Sequence, residues 1–337
     1  MNNIALFKKY IDLLDEVYKT AACTSVLDSP PELSRQGAST NEILVPMISM
    51  DGLADYSRNS GYVKGDVTLT YEPIKFNYDR GRKFTVEAMD NEESAGLAFG
   101  RLSSEFIRTK TTPELDAFRF AKYAAIDGIS KKSCTLSSGA DALTAIVEAQ
   151  NKLDEDEVAS EGRYLFVTPT LYNLMKNVDT YKSKAALDDF AAIVKVPQSR
   201  FYTSIDMYDG ESEGEKAGGY VKGTDHYELT TAAPSDWSTN YTAYYTKSGT
   251  AYTPVSGGSS PSWAASTYYK KTASAAKDIN FMIIEKSAII QYQKHMVNKI
   301  ITPEENQSDD SWMFFFRAYG LAESYANKAA GIYLCHK

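Results

Sequence analysis

Residues 65–94 read GDVTLTYEPIKFNYDRGRKFTVEAMDNEES, and apolar side chains alternate with polar ones along most of that length. Val67, Leu69 and Tyr71 are followed by Ile74, Phe76, Tyr78, Phe84 and Val86, with Thr68, Thr70, Glu72, Lys75, Asn77, Asp79, Lys83, Thr85 and Glu87 among them. A period of two predicts extended strand with one apolar face. The preceding segment, NEILVPMISMDGLADYSRNSGYVKGD, supplies the other half of a hairpin that turns near NSGYVKG. Two strands alone cannot bury such a face, and an isolated ribbon is marginal in water. The pattern therefore demands a cover that the ribbon does not itself contain.

The 337 residues are enough for two or three domains and a sizeable core. A formal net charge of -8 argues against a dedicated nucleic-acid binder, and no Lys/Arg cluster stands out along the sequence. Cys23, Cys134 and Cys335 lie far apart, as reduced thiols do, without the paired spacing of a disulfide framework or a zinc site. The amino terminus is charged and amphipathic rather than a signal peptide, and no run is apolar for long enough to cross a bilayer. These features predict a soluble protein made in a cytoplasm.

Along the chain, Ile4, Phe7, Ile11, Leu14 and Val17 predict an amphipathic helix over residues 3–19, followed by a Ser/Pro/Gly-rich arm. After the ribbon, Asp90 with Glu93 three residues on resembles a capping box. Ala95, Phe99, Leu102 and Phe106 then form one helical stripe. Thr112-Pro113 marks a fresh helical start, so the two helices make a long rod, bent or broken near Thr111. From Ser137 the texture is ordinary α/β: a helix in SSGADALTAIVEAQNKLDEDEV, a buried strand in RYLFVTP, a short helix in PTLYNLMKN, and strands in SRFYTSIDMY and INFMII. The non-alternating runs RYLFV and INFMII predict a sheet covered on both faces. Residues 224–276 interrupt this texture with Tyr, Trp, Ser, Thr and Gly, and read as a small β module placed in a loop.

No catalytic set can be assembled. His226, His295 and His336 are isolated from cysteines and from one another, and neither a phosphate-cradling glycine loop nor a Gly-x-Ser-x-Gly elbow is present. The acidic run 154–157 lacks the spacing of a calcium loop and reads as a solvated helix end, and DGESEGE reads as an exposed loop. The chain is thus expected to be no enzyme, with no cofactor and no metal. The aromatic residues of 224–276 have two readings. They form a small core with cross-strand pairs, the favoured one, or Tyr245, Trp263 and Tyr268 form an exposed surface for sugar or protein.

An arm, a ribbon, a rod and a compact α/β part, in that order, resemble the major capsid proteins of tailed bacteriophages. The likeness is carried by SRNSGYVKGDVTLT, KFNYDRGRKFTVEAMDNEES, SAGLAFGRLSSEFIRTK, PELDAFRFAKYAA, GRYLFVTPTLYNLM and DINFMIIEKSAIIQYQKHMVNKIITPEENQ. YDRGR and ELDAFRFAKYA in particular resemble phages of Gram-positive hosts. The resemblance implies an α+β, HK97-type capsid fold. Its parts would be an N-terminal helix and arm (1–42), an extended β-hairpin loop (43–89), a spine helix with the peripheral domain (90–136), an axial domain (137–223), the inserted β module (224–276) and axial strands returning to the peripheral domain (277–337).

It further implies a homo-oligomer of hexamers and pentamers, with the extended loop lying on an adjacent subunit. Tyr62, Val67 and Leu69 on the loop, with Arg80, Arg82, Glu92 and Glu93 beyond it, become the expected inter-subunit contacts. The shell would assemble in the host bacterial cytoplasm and enclose double-stranded DNA without sequence-specific binding. Its other partners would be a portal and scaffolding or decoration proteins, with no membrane. Two alternatives stand beside this reading: an encapsulin-like nanocompartment, and a tail or adhesion protein that binds host carbohydrate through the aromatic module.

Overall fold

The computed structural model describes residues 22–29, 35–36, 42–59, 61–93, 104–178, 186–235, 237–249, 251–256 and 261–337. The helix expected at 3–19 lies outside them, as do Ala95, Phe99 and Leu102 of the expected rod. The described chain is a mixture of helices and sheets that divides into two compact units.

The first unit holds the described residues up to Thr109 together with Lys286–Lys328. It begins with strands β1 (Arg35–Gln36), β2 (Glu42–Met50), β3 (Val67–Lys75) and β4 (Tyr78–Glu87). The first three form one antiparallel sheet in the order β1-β2-β3. Strand β4 leaves that sheet and pairs along its length with a later strand, Ser311–Ser324. The alternation over residues 65–94 is therefore two strands in two sheets, not one arm of a hairpin. The break falls at Phe76-Asn77. The Asn77 amide donates to the Ala322 carbonyl at 2.8 Å and accepts from the Ala322 N–H at 3.1 Å, which takes the place of ladder bonds where the chain changes partner.

Helix α1 (Ala88–Glu93) starts two residues before Asp90, so Asp90 lies in its first turn and is not its cap. The Glu87 carboxylate accepts the Asp90 amide instead, at 3.2 Å. The segment 22–29 is pinned inside this unit: Leu27 is buried, and the buried Gln291 donates to the Thr24 carbonyl at 2.8 Å and to Asp28 at 2.6 Å.

The second unit holds Lys110–Glu285 and Ala329–Lys337. Residues 104–106 are helical, a π-helical stretch (Ile107–Thr111) follows, and helix α2 (Thr112–Ala125) carries Pro113 in its first turn, where no intrahelical N–H is lost. A five-stranded mixed sheet is built from β5 (Ser130–Ser133), β6 (Arg163–Val167), β7 (Ala192–Lys195), β14 (Ile279–Glu285) and β17 (Ile332–His336), in the order β5-β17-β14-β6-β7. Helices α3 (Gly139–Glu155) and α4 (Pro169–Lys176) cover one face through Ile146, Leu153, Leu171 and Met175 against Leu165, Val167, Phe281 and Ile283. On the other face Phe120 of α2 meets Phe166 edge-on at 5.2 Å. Both faces being covered, β14 is buried at every position, as its unbroken apolar run requires.

Ser138 and Asp141 form a reciprocal capping box on α3. Gly139 follows because a Cβ there would stand 2.2 Å from the Leu174 carbonyl of α4. The fold brings Cys134, just past β5, near Cys335 on β17, both as free thiols, and burial pushes the Cys335 thiol up.

Within this unit a hairpin of β8 (Ile205–Met207) and β9 (Tyr220–Lys222) precedes a separate sheet. That sheet comprises β10 (His226–Leu229), β11 (Tyr244–Ser248), β12 (Ala251–Pro254) and β13 (Tyr268–Ala273), in the order β10-β13-β11-β12. The Ala276 amide donates to the Gly223 carbonyl at 2.9 Å, so the chain leaves and returns at one point.

The chain then re-enters the first unit as β15 (Ile289–Ile301) and β16 (Ser311–Ser324), which with β4 make a sheet in the order β15-β16-β4. One face of it carries Phe84, Phe314 and Phe316, packed edge-on by Phe106 at 4.9–6.2 Å.

Candidate functional site

Strands β2 and β3 run antiparallel in unbroken register from Glu42 opposite Lys75 to Met50 opposite Val67. Beyond them Asp51 closes the ladder, its carboxylate accepting the Asp66 amide at 2.8 Å. A tighter turn follows, in which Ser57 bridges Gly61, whose φ of +76° favours glycine. Successive side chains of a strand point to opposite faces, and this ribbon uses its two faces differently.

At the base, Ile43 and Val45 are buried and, with Ile74, pack on Ile290 and Leu321 of the same unit. Further out, the apolar positions are Pro46, Ile48 and Met50, opposite Tyr71, Leu69 and Val67. These stand on the other face of the pleat, since 43 and 45 are odd and 46, 48 and 50 are even. The outer face is bare: Ile48 is 60% exposed, Met50 68%, Val67 72% and Leu69 51%. The tip adds Leu53, Tyr56, Tyr62 and Val63, all exposed, with the Tyr56 and Tyr62 rings 4.9 Å apart. Nine of the 14 large apolar side chains exposed among the described residues fall between Ile48 and Tyr71. Scattered exposed apolar residues need no explanation, but a contiguous patch marks a contact surface.

Tyr62, Val67 and Leu69 thus stand together on the exposed part of the ribbon. Arg80 and Arg82 sit on β4, two residues apart, opposite Ala318 and Phe316. Glu92 and Glu93 end α1, and their side chains fall outside the described part. The exposed character of Ile48 and Met50 on the partner strand is a signal the alternation on residues 65–94 did not carry by itself.

The aromatic residues of the four-stranded sheet do not form the single surface that Tyr245, Trp263 and Tyr268 would need. Tyr245 is the register partner of Tyr269, so the adjacent Tyr268 points to the opposite face. Tyr268 is buried with Trp237, Tyr244 and Val255, and Trp263 packs against that core, its ring 4.8 Å from Trp237. The Trp237 indole N–H donates to the Pro261 carbonyl at 2.8 Å. On the other face Tyr227, Tyr245, Tyr252 and Tyr269, one from each strand, form a second cluster, with Tyr227 and Tyr252 stacked at 3.9 Å. Tyrosine supplies area that short strands cannot obtain from aliphatic residues alone.

The three histidines stay apart. His226 bonds to Asp206 at 2.7 Å, His295 is exposed on β15, and His336 contacts its neighbour's carbonyl. Among the described residues no group of three or more His, Cys, Asp or Glu side chains is placed to hold a metal. No described helix is long and apolar enough to cross a membrane. The acidic end of α3 is tied by ion pairs, Lys152 to Asp156 and Arg163 to Asp154, each at 2.7 Å.

No family model matches the chain, and no curated protein matches it in sequence. Among solved structures, the capsid structure of Staphylococcus phage Andhra is 13% identical, covering 91% of this chain and 83% of the other, with a TM-score of 0.49. A structure from Mycobacterium phage Che8 is 12% identical, covering 92% and 89%, with a TM-score of 0.49. A virus-like particle from Pyrococcus furiosus is 9% identical, covering 95% and 98%, with a TM-score of 0.46.

Proposed function

We propose that this chain is the major capsid protein of a tailed bacteriophage, with an HK97-type fold, and that it acts only as one of many copies. One observation carries the reading: the outer half of the β2–β3 ribbon is apolar on the face that its own unit does not use. Water disfavours that arrangement by roughly 25 cal/mol per Å2 of apolar surface, and a second copy lying across Ile48, Met50, Val67 and Leu69 removes the cost. Repetition of one such contact around a closed shell builds hexamers and pentamers without any strong single bond.

In this reading residues 137–223 form the axial domain, 277–337 supply axial strands and return to the peripheral domain, and 224–276 are an outward-facing insertion. The rod through residues 104–125 belongs to the spine helix. The shell encloses double-stranded DNA, with a portal and scaffolding or decoration proteins as further partners, and is built in the host cytoplasm. The adhesion alternative is weakened because Trp263 and Tyr268, two of the three aromatic residues it needs, pack inward.

Electron microscopy of the overexpressed chain, alone and with a candidate scaffold, tests the proposal. Closed shells that disappear in Leu69→Asp are expected. A compact, monodisperse monomer under all conditions contradicts it, and protein-filled rather than DNA-filled particles from infected cells favour the nanocompartment.

A further inference from the structure

The outer face of the β15-β16-β4 sheet is basic, although the chain as a whole is acidic. Three rows cross it. Lys299 stands opposite Phe315, and Phe315 opposite Lys83; Val297, Arg317 and Gly81 form the next row, and His295, Tyr319 and Asp79 the third. A β-bulge between Gln293 and His295 adds Lys294, whose ammonium lies 5.0 Å from the Phe76 ring and 5.9 Å from Tyr319. The Lys83 ammonium lies 5.5 Å over Phe315. The opposite face of the same sheet is the one packed by Phe106, so these cations occupy the solvent side.

The only carboxylate in the three rows is Asp79, and Arg317 holds it through two bonds at 2.9 and 2.7 Å. That hydrogen-bonded guanidinium keeps Asp79 below the usual carboxylate range. Among the described residues Lys83 and Lys299 have no carboxylate within ion-pair distance. At Gly81 a Cβ would stand 2.8 Å from the Phe316 carbonyl, so on this face β4 carries no side chain between Lys83 and Asp79.

We propose that this face binds the phosphodiester backbone of double-stranded nucleic acid, without reading its sequence. Lys83 and Lys299 flank Phe315 from the two outer strands, two strand spacings or about 10 Å apart, and present a pair of charges to a regular polyanion. The aromatic rings beneath Lys83 and Lys294 hold those ammonium groups in place and leave little bare apolar surface for a protein partner. No side chain is arranged in the forked pairs that read base edges, because the only arginine in the three rows is already engaged by Asp79. With about three cations in play each copy binds weakly, and a surface repeated over many copies binds through their number. The effect of number rests on the proposed shell, but all the residues belong to one unit of one chain, so the dispersed chain carries the complete face.

Fluorescence anisotropy of the dispersed full-length chain with a mixed-sequence 25-base-pair duplex, titrated at several KCl concentrations, tests it. The expected result is sequence-independent binding whose logarithmic salt slope is about −3, shrinking to about −1 in the double variant Lys83→Gln, Lys299→Gln. Thermal melting checks that this variant folds, and Lys131→Gln, Lys277→Gln serves as a control expected to bind like the parent. Absence of salt-dependent binding, or binding unchanged by the double variant, overturns the proposal. Competition by poly-glutamate equal to that of DNA at matched charge overturns it too, because an acidic protein segment then fits the face as well.

Discussion

Ile48 stands directly opposite Leu69 across the β2–β3 ladder, and both side chains face solvent. Neither contributes to the core beneath the ribbon's base, where Ile43 and Val45 do that work. Replacing either residue by Asp is expected to change the stability of the dispersed chain by no more than about 0.5 kcal/mol, as at other exposed sites. The same replacement is expected to abolish association. Thermal melting and sedimentation velocity on one sample separate the two effects.

Gln291 fixes the segment 22–29 from inside the first unit. Gln291→Ala removes the bond to Asp28 and one of the two donors to the buried Thr24 carbonyl, which keeps the Leu27 amide at 3.1 Å, a loss of about 1–3 kcal/mol. Limited proteolysis is expected to cut near residues 22–29 in the variant well before the parent. Equal cleavage rates would show that the tether is not needed.

Trp237, at the start of a short helical turn, is the centre of the core on one face of the four-stranded sheet, within 4.5–5.3 Å of Tyr268, Trp263 and Tyr244. Trp237→Ala is expected to cost about 3–5 kcal/mol, concentrated in that sheet. The emission of Trp263 should shift to the red while the amides of β14 keep their protection from hydrogen exchange. Loss of protection in β14 as well would mean that the small sheet and the large one unfold as one.

Asp278 accepts from Lys222 at 2.6 Å and from Lys337 at 3.2 Å. The Lys222 hydrogen bond, with Lys337 adding to it, holds the Asp278 carboxyl below its usual range. A depressed folded-state pKa stabilises fully above the unfolded value of about 3.9, and the contribution is lost as pH falls through the folded value. Asp278→Asn is therefore expected to be less stable than the parent at pH 7, by up to about 1 kcal/mol for such a half-exposed pair. The difference should close as pH drops below about 4. Urea midpoints at pH 7, 4 and 2.5 would reveal a constant gap if the charge plays no part.

Segments whose neighbours in sequence are also their neighbours in space were legible from the sequence. Ser138 and Asp141 cap α3 locally, and the unbroken apolar run of β14 announces a strand covered on both sides. The alternation over residues 65–94 was harder, because its parity changes between Tyr71 and Ile74, where the chain passes from the exposed face of the ribbon to the buried one. From Ile74 through Phe76 and Tyr78 to Phe84 and Val86 the parity then holds across the break at Phe76-Asn77, so β3 and β4 read as one arm. The basic face was hidden for a different reason: Lys83, Lys299 and Arg317 come together only after a strand near residue 80 pairs with one near residue 315. Likewise Tyr245 and Tyr268 look equivalent by composition, and only the register of β11 against β13 puts them on opposite faces.

The central claim is that the outer face of the ribbon rests on another copy of this chain. Incorporating a benzophenone amino acid at Leu69 and irradiating assembled material tests it most directly. A ladder of dimers and higher multimers on a denaturing gel is the expected result, with the peptide containing residue 69 joined to a peptide of a second, isotopically distinct copy. A monomer band alone, carrying only links within one chain, would contradict it.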